Sequence, residues 1–339
     1  MSFRNYKEKI DEGDIVILYL SNNLYALDVR PEIKNTKGDM VENVYQTPFG
    51  ALKVRNLIGA DYGSRVELSK GWGHVLQPTP ELWSLTLPHR TQIIYTPDIS
   101  MILLQLDLIP GSVVVEAGTG SGSLTHALIR RVRPHGHVYT FDFHEHRAKI
   151  AREEFNEHGL ADFVTTQHRD VLAEGFGEDL KAKADAVFLD LPKPWDGVTH
   201  AVAAIKEQGG RFCSFSPCIE QVQRTCLALK EHGFQDISTM EVLQNELKVT
   251  RRNVPVRDLS FLKHKFEVDK ETKHVLRPDN IGDDLCSSDV LEYIIMYIIF
   301  IMYVIPIEVY QYSCNKICKD LNDKLYEWIY AHTYIRSAR

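Results

Sequence analysis

The feature that most constrains the fold is a glycine-rich loop between an apolar segment and an amphipathic one. The segment Ser112–Ala117 is rich in valine, which is typical of a buried strand. The loop that follows contains Gly118, Gly120 and Gly122, and it leads into a predicted helix, Ser123–Val132. Glycine permits a tight turn and lets a ligand approach the backbone, while a helix N-terminus offers unpaired N–H groups. The sequence therefore predicts a strand–loop–helix unit that binds a ligand.

The alternation of strand and helix continues along the chain. β-rich apolar segments recur between segments of helical periodicity, and glycine or proline separates them. The further predicted strands are 137–143, 163–168, 184–189 and 211–216, and the further predicted helices are 98–106, 145–158, 196–207 and 217–232. Parallel strands need crossover connections, which are usually helices. We expect an α/β fold, a doubly wound and mostly parallel Rossmann-like sheet with helices on both faces.

The residues before this unit have a different pattern. Ile15–Leu20 and Leu24–Val29 are short β-rich segments joined by a polar turn, and later glycines mark further turns. We predict a small N-terminal β domain, a barrel or a sandwich. The predicted domains are residues 1–75 for the β domain, 76–96 for a proline-containing linker, 97–262 for the Rossmann-like domain and 263–339 for a divergent tail whose fold the sequence does not define.

Charge and cysteine content argue against a strongly basic nucleic-acid-binding protein, a disulfide-rich domain and a zinc protein. The net charge is −7, so bulk charge does not indicate nucleic-acid binding. Six cysteines in 339 residues do not make a disulfide scaffold, and their spacing does not fit a zinc site, so we expect free thiols and no metal. No apolar run opens the chain, which predicts no secretory signal. The apolar segment Tyr293–Ile305 is too short to span a bilayer as a helix. We favour a buried strand or helix over a membrane-interfacial segment, and we expect no membrane partner.

The spacing of the glycines separates two cofactor classes. The dinucleotide fingerprint Gly-x-Gly-x-x-Gly needs a third glycine where this chain has Ser123, which disfavours a NAD dehydrogenase. The loop instead reads Gly-x-Gly-x-Gly and follows an acid, Glu116. This spacing resembles motif I of the class I S-adenosylmethionine-dependent methyltransferases. Their cofactor carries an ammonium group, for which an acid at a strand end is a suitable partner.

Three further acids follow predicted strands, at the edge where doubly wound sheets bind ligands. Asp142 ends the second strand, where its carboxylate would accept hydrogen bonds from both ribose hydroxyls. Asp170 follows the third strand, near the expected adenine edge, and Asp190 ends the fourth. Taken singly, such an acid has a simpler explanation as a solvated loop residue or a helix cap, and for Asp170 the two are evenly balanced. Four acids at four successive strand ends together indicate a ligand site.

Longer stretches resemble one family within this superfamily. They are QPTPELWSLTLPHRTQIIY (77–95), VVEAGTGSGSLTHA (114–127), FHEHRAKIAREEF (143–155), AVFLDLPKPW (186–195) and GGRFCSFSPCIEQVQRTC (209–226). Through them the chain, up to about residue 262, resembles the catalytic subunits of eukaryotic tRNA (adenine-N1)-methyltransferases. The resemblance implies methylation of N1 of adenine 58 in the T loop of tRNA, with S-adenosyl-L-methionine as the cofactor. It also implies a related non-catalytic subunit, assembly as two copies of each subunit, and location in the nucleus.

The resemblance, together with motif I, assigns residues to the ligands. It implies that Asp190 is catalytic, facing the substrate base and bordering the cofactor. The other cofactor-binding residues that it implies are Ile94, Glu116, Gly118, Gly120, Ser121, Gly122, Ser123, Asp142, Arg147, Asp170 and Val171. Of these, Ile94 would lie beneath the cofactor and Arg147 would join Asp142 on the ribose side. The implied tRNA contacts are the N-terminal domain and Pro192, Trp195, Ser216, Pro217, Cys218 and Gln221.

Some positions keep an alternative explanation. For Trp195 we slightly favour packing against the core over stacking on a base. Arg130, Arg131 and Arg133 are better explained by a solvated helix face than by phosphate contacts, whereas for 248–252 the two explanations are balanced. The family commonly has Glu at the position of Asp142, and its C-terminal strand of Gly-Tyr-Leu-Thr-Phe type has no counterpart in this chain.

Two rival functions remain compatible with the sequence. The first is a non-catalytic tRNA-binding subunit of the same assembly, which a degraded glycine loop and the loss of Asp190 would mark. In this chain the glycine loop is intact and Asp190 is present. The second is a methyltransferase that acts on a protein or a small molecule, which a methyl-transfer assay on tRNA distinguishes.

Overall fold

The structure, a computed structural model, describes residues 3–245, and these belong to one compact unit. The predictions made for 248–252, for Tyr293–Ile305 and for the tail 263–339 lie outside the described residues. No helix within 3–245 is long and apolar enough to cross a membrane. The predicted boundaries at residues 75 and 96 fall inside the compact unit, and the division there stays a prediction.

The N-terminal part of the described chain is built from antiparallel strands. The strands are β1 Ile15–Leu20, β2 Asn23–Asp28, β3 Glu32–Lys34, β4 Met40–Glu42, β5 Val44–Thr47, β6 Gly50–Lys53, β7 Arg65–Leu68 and β8 Gly71–Leu76. Four of them form a sheet in the order β2-β1-β8-β7, and β3-β4 and β5-β6 are two-stranded hairpins. Val16, Leu18 and Leu20 of β1 are fully buried in the apolar core of this part. The predicted barrel or sandwich is thus a four-stranded sheet with two hairpins.

The second part of the described chain alternates helices with parallel strands. Its helices are α1 Pro80–Thr86, α2 Thr96–Gln105, α3 Ser123–Val132, α4 Glu145–Glu157, α5 Val171–Glu174, α6 Val198–Ala204 and α7 Ile219–Glu231. Its strands are β9 Val113–Ala117, β10 His137–Asp142, β11 Val164–His168, β12 Ala186–Leu189 and β13 Arg211–Ser214. They form one sheet in the order β11-β10-β9-β12-β13, with every pair parallel.

Both faces of this sheet are buried. On β9, Val114 packs in one apolar cluster with Leu128 of α3, while its neighbour Val115 packs in another with Ala201 of α6. Successive residues of a strand point to opposite faces, so each valine meets a different layer of helices. A central parallel strand covered on both sides is mostly apolar, as β9 is apart from Glu116. The predicted doubly wound Rossmann-like fold is confirmed.

The differences from the predicted segments concern the ends of helices and strands, and two short helices. The strands predicted at 184–189 and 211–216 are Ala186–Leu189 and Arg211–Ser214. The predicted helix 196–207 is shorter, because a 3-10 turn over Pro194–Gly197 precedes α6. The helices α1 and α5 were not predicted.

In a sheet of this topology all the strands end at the same edge, which brings the residues after β9, β10, β11 and β12 together.

Candidate active site

The glycine loop after β9 has a backbone that only glycine accommodates without strain. Gly118, Gly120 and Gly122 have φ angles of +102°, +53° and +75°. A Cβ on Gly118 would lie 2.4 Å from the carbonyl oxygen of Asp190, and one on Gly120 would lie 2.7 Å from Oγ1 of Thr91. No side chain caps the N-terminus of α3, which starts directly after the loop. The loop thus approaches its neighbours closely and leaves the first N–H groups of the helix available to a ligand.

A cavity opens beside this loop at the ends of β9 and β12. One wall is the segment 91–94, which precedes α2, and another is the end of β12. Of the predicted cofactor-binding residues, those that line the cavity are Ile94, Glu116, Gly118, Gly120, Ser121, Ser123 and Asp190. The structure therefore brings together the acid of motif I, the loop, and the acid assigned to the substrate base. The wall residues Thr91, Gln92 and Ile93 were not predicted individually.

Asp142 supports the loop from the neighbouring strand. Its side chain is 2% exposed, and its Oδ2 accepts a hydrogen bond from the Gly120 N–H at 3.0 Å. Its Oδ1 accepts from the His144 N–H at 2.8 Å and from Nε of Arg147 at 3.0 Å. Arg147 therefore forms an ion pair with Asp142, and their common place on the ribose side stays a prediction. A carboxylate has about four acceptor positions, and three protein donors already use this one, while its place beside the ribose hydroxyls stays a prediction.

Ser121 and Ser123 use their side chains to hold the wall segment. Oγ of Ser121 accepts hydrogen bonds from the N–H groups of Arg90 at 2.9 Å and Thr91 at 3.1 Å. Oγ of Ser123 donates to the carbonyl oxygen of Ile94 at 2.8 Å. Both hydroxyls are thus occupied by the protein, and a ligand in the cavity would meet the backbone of these serines.

Glu116 is a buried acid at the end of β9. It is 1% exposed, and the Thr125 hydroxyl donates to its Oε2 at 2.7 Å. The pKa of Glu116 is raised to about 7, chiefly by burial and also by the nearby charges of Asp190 and Asp142, against hydrogen bonds from Thr140 and Thr125 that lower it. A positive ligand group would favour the ionised form, because an opposite charge nearby lowers the pKa of an acid.

Asp190 is a carboxylate without a hydrogen-bond partner among residues 3–245. It follows β12, lines the cavity, and its pKa is raised to about 6 by burial. The helix-cap explanation fails, because the next helical turn begins at Pro194 with Lys193 as its N-cap. A desolvated carboxylate that faces a cavity is available to a hydrogen-bond donor of a ligand.

Asp170 acts as a helix cap, as its alternative explanation proposed. Its Oδ1 accepts hydrogen bonds from the N–H groups of Leu172 at 3.1 Å and Ala173 at 3.3 Å at the start of α5. Val171 is buried at 4% exposure. Neither residue lines the cavity beside the glycine loop. Their place beside an adenine stays a prediction.

The predicted tRNA-contacting loops meet at the same edge of the sheet. Nε2 of Gln221 donates to the carbonyl oxygen of Pro192 at 2.9 Å, which joins the loop after β12 to the start of α7. Cys218 is the N-cap of α7, and its N–H donates to Oε1 of Gln221 at 3.3 Å. Pro192 and Cys218 are both exposed. The two loops therefore form one surface next to Asp190.

Trp195 and Ser216 have distinct surroundings within this surface. The Trp195 ring is half-buried, and the guanidinium carbon of Arg224 lies 5.1 Å from its centroid. Oγ of Ser216 is buried and has no hydrogen-bond partner among the described residues, while Pro217 is exposed. Trp195 therefore has an arginine on one side rather than a place in one of the apolar core clusters, and the choice between packing and base stacking stays open. Ser216 has an unused polar atom.

The arginine cluster on α3 is mostly used within the protein. Arg130 makes an ion pair with Glu81, and Nη1 of Arg133 donates to the carbonyl oxygens of Phe3 at 3.3 Å and Arg4 at 2.6 Å. These contacts account for Arg130 and Arg133 without phosphate, and Arg131 is exposed, as the solvated-face explanation predicts. No group of three or more His, Cys, Asp or Glu side chains that could hold a metal occurs in the part of the chain that the structure describes.

Comparison with known proteins identifies relatives. The family model described as the tRNA methyltransferase complex GCD14 subunit matches residues 71–289. A tRNA (adenine(58)-N(1))-methyltransferase catalytic subunit of Dictyostelium discoideum is 47% identical over 244 residues, which are 70% of this chain and 75% of that protein. The subunit of the same name from Kluyveromyces lactis is 40% identical over 321 residues, which are 85% of this chain and 75% of that protein.

Solved structures agree with this assignment. A SAM-dependent O-methyltransferase from Thermotoga maritima is 31% identical, with a TM-score of 0.63 over 74% of this chain and 89% of that chain. The tRNA (m1A58) methyltransferase TrmI from Aquifex aeolicus is 25% identical, with a TM-score of 0.57 over 72% of this chain and 90% of that chain. The chain belongs to the tRNA methyltransferase complex GCD14 subunit family and has the fold of the S-adenosylmethionine-dependent methyltransferases.

Proposed function

We propose that this chain methylates N1 of adenine 58 in the T loop of tRNA as the catalytic subunit of a two-component complex. Its relatives from Dictyostelium discoideum and Kluyveromyces lactis carry the name of this activity. The observation that carries the proposal is the carboxylate of Asp190, which has no hydrogen-bond partner among residues 3–245 and faces the cavity of the glycine loop.

The cavity fits S-adenosylmethionine. Gly118 and Gly120 leave no room for a Cβ but leave the loop backbone open to a ligand, and Glu116 is a buried acid suited to an ammonium group. Asp142 and Arg147 would hold the ribose side, with Ile94 beneath the cofactor. When bound, the cofactor would supply the methyl group of its sulfonium for in-line transfer, with the neutral thioether S-adenosylhomocysteine as the leaving group.

The chain's task is then alignment and charge stabilisation. N1 of adenine has a free lone pair and needs no base, but the ring becomes cationic as N1 attacks. A carboxylate that accepts a hydrogen bond from the exocyclic amine stabilises the developing charge. With a pKa of about 6, Asp190 is mostly ionised at neutral pH and can do this. Because the site is partly desolvated, the interaction is stronger there than in water.

The substrate tRNA is expected to need a second subunit. The chain has a net charge of −7, whereas non-specific affinity for nucleic acid comes mainly from basic contacts to phosphates. A related, more basic subunit would supply these contacts, in an assembly of two copies of each subunit in the nucleus. The joined loops of Pro192, Trp195 and Cys218–Gln221 would contact the tRNA near the extruded adenine, whose removal from the T arm costs a few kcal/mol.

Radiolabelled methyl transfer to tRNA, with and without the partner subunit, tests the proposal. The modified base is then mapped, and a tRNA with guanine at position 58 serves as the control substrate. Label on N1 of adenine 58 is the expected result. Absence of label from tRNA in the presence of the partner, with label on a protein or small molecule, would instead support the rival methyltransferase function. Inactivity of a chain that still binds tRNA would support the non-catalytic subunit.

A further inference from the structure

A buried ion pair lies behind the wall segment of the cavity. Nη1 of Arg90 is 2.7 Å from Oε2 of Glu154 on α4, and the two side chains are only 13% and 11% exposed. Nε and Nη2 of Arg90 are buried without a hydrogen-bond partner among residues 3–245. A buried charge is costly unless an opposite charge compensates it. The position of the Arg90 side chain therefore depends strongly on Glu154.

The neighbouring histidines do not supply an alternative counter-charge. His126 and His158 lie in the same buried region, with Nε2 of the first 2.8 Å from Nδ1 of the second. Burial lowers the pKa of His126 to about 4 and that of His158 to about 2, and the charge of Arg90 contributes to both shifts. Both imidazoles are neutral at physiological pH. Within the described residues, Glu154 is thus the acid that compensates Arg90.

Arg90 is directly continuous with the cavity wall. Its own N–H and that of Thr91 donate to Oγ of Ser121 in the glycine loop, and the carbonyl oxygen of Ile94 accepts from Ser123. The segment 91–94 between these points lines the cavity, whereas neither Arg90 nor Glu154 does. The segment is therefore fastened to the loop by two serines and to α4 by the ion pair.

We propose that Arg90 and Glu154 are a positioning pair that holds the wall 91–94 at the distance from the glycine loop at which the cofactor binds. The identity of the ligand rests on the proposed function. If the pair is broken, the buried charge of Arg90 is no longer compensated, which favours movement of its side chain into water. The attached wall segment 91–94 then moves with it. A misplacement of about 1 Å in a positioning group is enough to cost on the order of a hundredfold in reaction rate.

The test variant is Glu154→Gln, which keeps the shape of the side chain and removes its charge. Calorimetry on the full chain with S-adenosylhomocysteine should show a dissociation constant raised about tenfold or more. Limited trypsin cleavage after Arg90 should become faster, because the arginine is no longer held in the interior. Arg90→Lys keeps the charge and should have a smaller effect than Glu154→Gln on both measurements.

A matched control is available on the same helix. Glu157 makes an exposed ion pair with Arg30, at 3.3 Å with side-chain exposures of 62% and 54%. Glu157→Gln removes the same charge three residues later, so its dissociation constant and its cleavage after Arg90 should equal those of the parent. A Glu157→Gln effect as large as that of Glu154→Gln would overturn the proposal, because general electrostatics would then explain both.

General loss of stability needs a separate control. Val66→Ala creates a cavity in the N-terminal core, far in sequence from the wall, and its melting temperature can be compared with that of Glu154→Gln. At equal loss of melting temperature, only Glu154→Gln should weaken binding and speed cleavage after Arg90. Equal weakening in both variants, or parental binding in Glu154→Gln, overturns the positioning role. Failure of the parent chain itself to bind S-adenosylhomocysteine overturns the proposed function together with this inference.

Discussion

Replacing Asp190 with asparagine should slow methyl transfer and at the same time stabilise the protein. The substitution keeps the size of the side chain and removes a carboxylate that has no hydrogen-bond partner among residues 3–245. Burial raises the pKa of this carboxyl from 3.8 to about 6. A raised pKa means that the ionised carboxylate destabilises the folded protein relative to the unfolded one. Catalysis needs that same ionised form, so the two effects have one physical cause.

The size and sign of the stability effect follow from proton linkage. Each pKa unit corresponds to about 1.4 kcal/mol, so the charge costs on the order of 1–3 kcal/mol. Between about pH 4 and 6 the folded state binds more protons at Asp190 than the unfolded state does, so this contribution to stability falls as pH rises. Above pH 6 the full cost is present. Asp190→Asn should therefore raise the melting temperature by a few degrees at pH 8 and by much less at pH 5.

Two assays on the same variant separate the effects. Single-turnover methylation of tRNA, with the partner subunit present, should be slower by on the order of a hundredfold, the scale of losing one electrostatic group. Affinity for S-adenosylmethionine and for tRNA should stay within a few-fold of the parent. The single-turnover rate of the parent should rise as pH increases through about 6. The rate of Asp190→Asn should not show this rise.

A folded Asp190→Asn protein with the parental single-turnover rate would remove Asp190 from the mechanism and leave alignment as the main contribution of the site. An unchanged melting temperature at pH 8 would show that the carboxylate is well solvated. Either result contradicts the reasoning from burial. Asp196, which is exposed in the following 3-10 turn, provides the control substitution Asp196→Asn, for which both measurements should match the parent.

The remaining predictions concern the cofactor and the partner. Glu116 has a pKa of about 7, so affinity for S-adenosylmethionine should rise as pH increases through 7 with release of a proton; calorimetry in buffers of different ionisation enthalpy measures this, and Glu116→Gln should abolish it. Gly120→Asp places a Cβ 2.7 Å from Thr91 at a φ of +53°, so calorimetry should detect no cofactor binding; equal binding would contradict the assignment of the loop. The single chain should bind tRNA poorly in a filter-binding assay, and full turnover without a partner would show that no second subunit is needed.

Local sequence signals were sufficient for the parallel sheet. The helix Ser123–Val132 has the predicted ends, because glycine precedes it and Pro134 follows it. The strands β9 and β12 were recognisable because a strand covered on both faces is mostly apolar: β12 is apolar throughout, and β9 is apolar apart from Glu116. The carboxyl-end rule for such sheets then placed Glu116 and Asp190 at one edge before any contact was known.

The parts that could not be predicted depend on contacts between distant segments. The helix α1 has only seven residues, too few to be stable alone, and it forms where it packs against α3. The pairing of Arg90 with Glu154 leaves no periodic pattern in the sequence. The role of Asp170 could not be predicted either, because a helix cap and a ligand contact use the same residue type at the same place. Only its hydrogen bonds from Leu172 and Ala173 identify it as the cap.

The hydroxyl of Ser123 binds the carbonyl oxygen of Ile94 at 2.8 Å and lies 2.7 Å from the hydroxyl of Ser84 on α1. One buried serine thus connects the helix behind the glycine loop to two segments that come earlier in the chain. A shortened protein that began at residue 97 would keep all five parallel strands but would lack one wall of its own cavity. Residues of the sheet and of the upstream segment therefore form the cofactor site together. Over evolutionary time, positions 84 and 123 are expected to change as a pair.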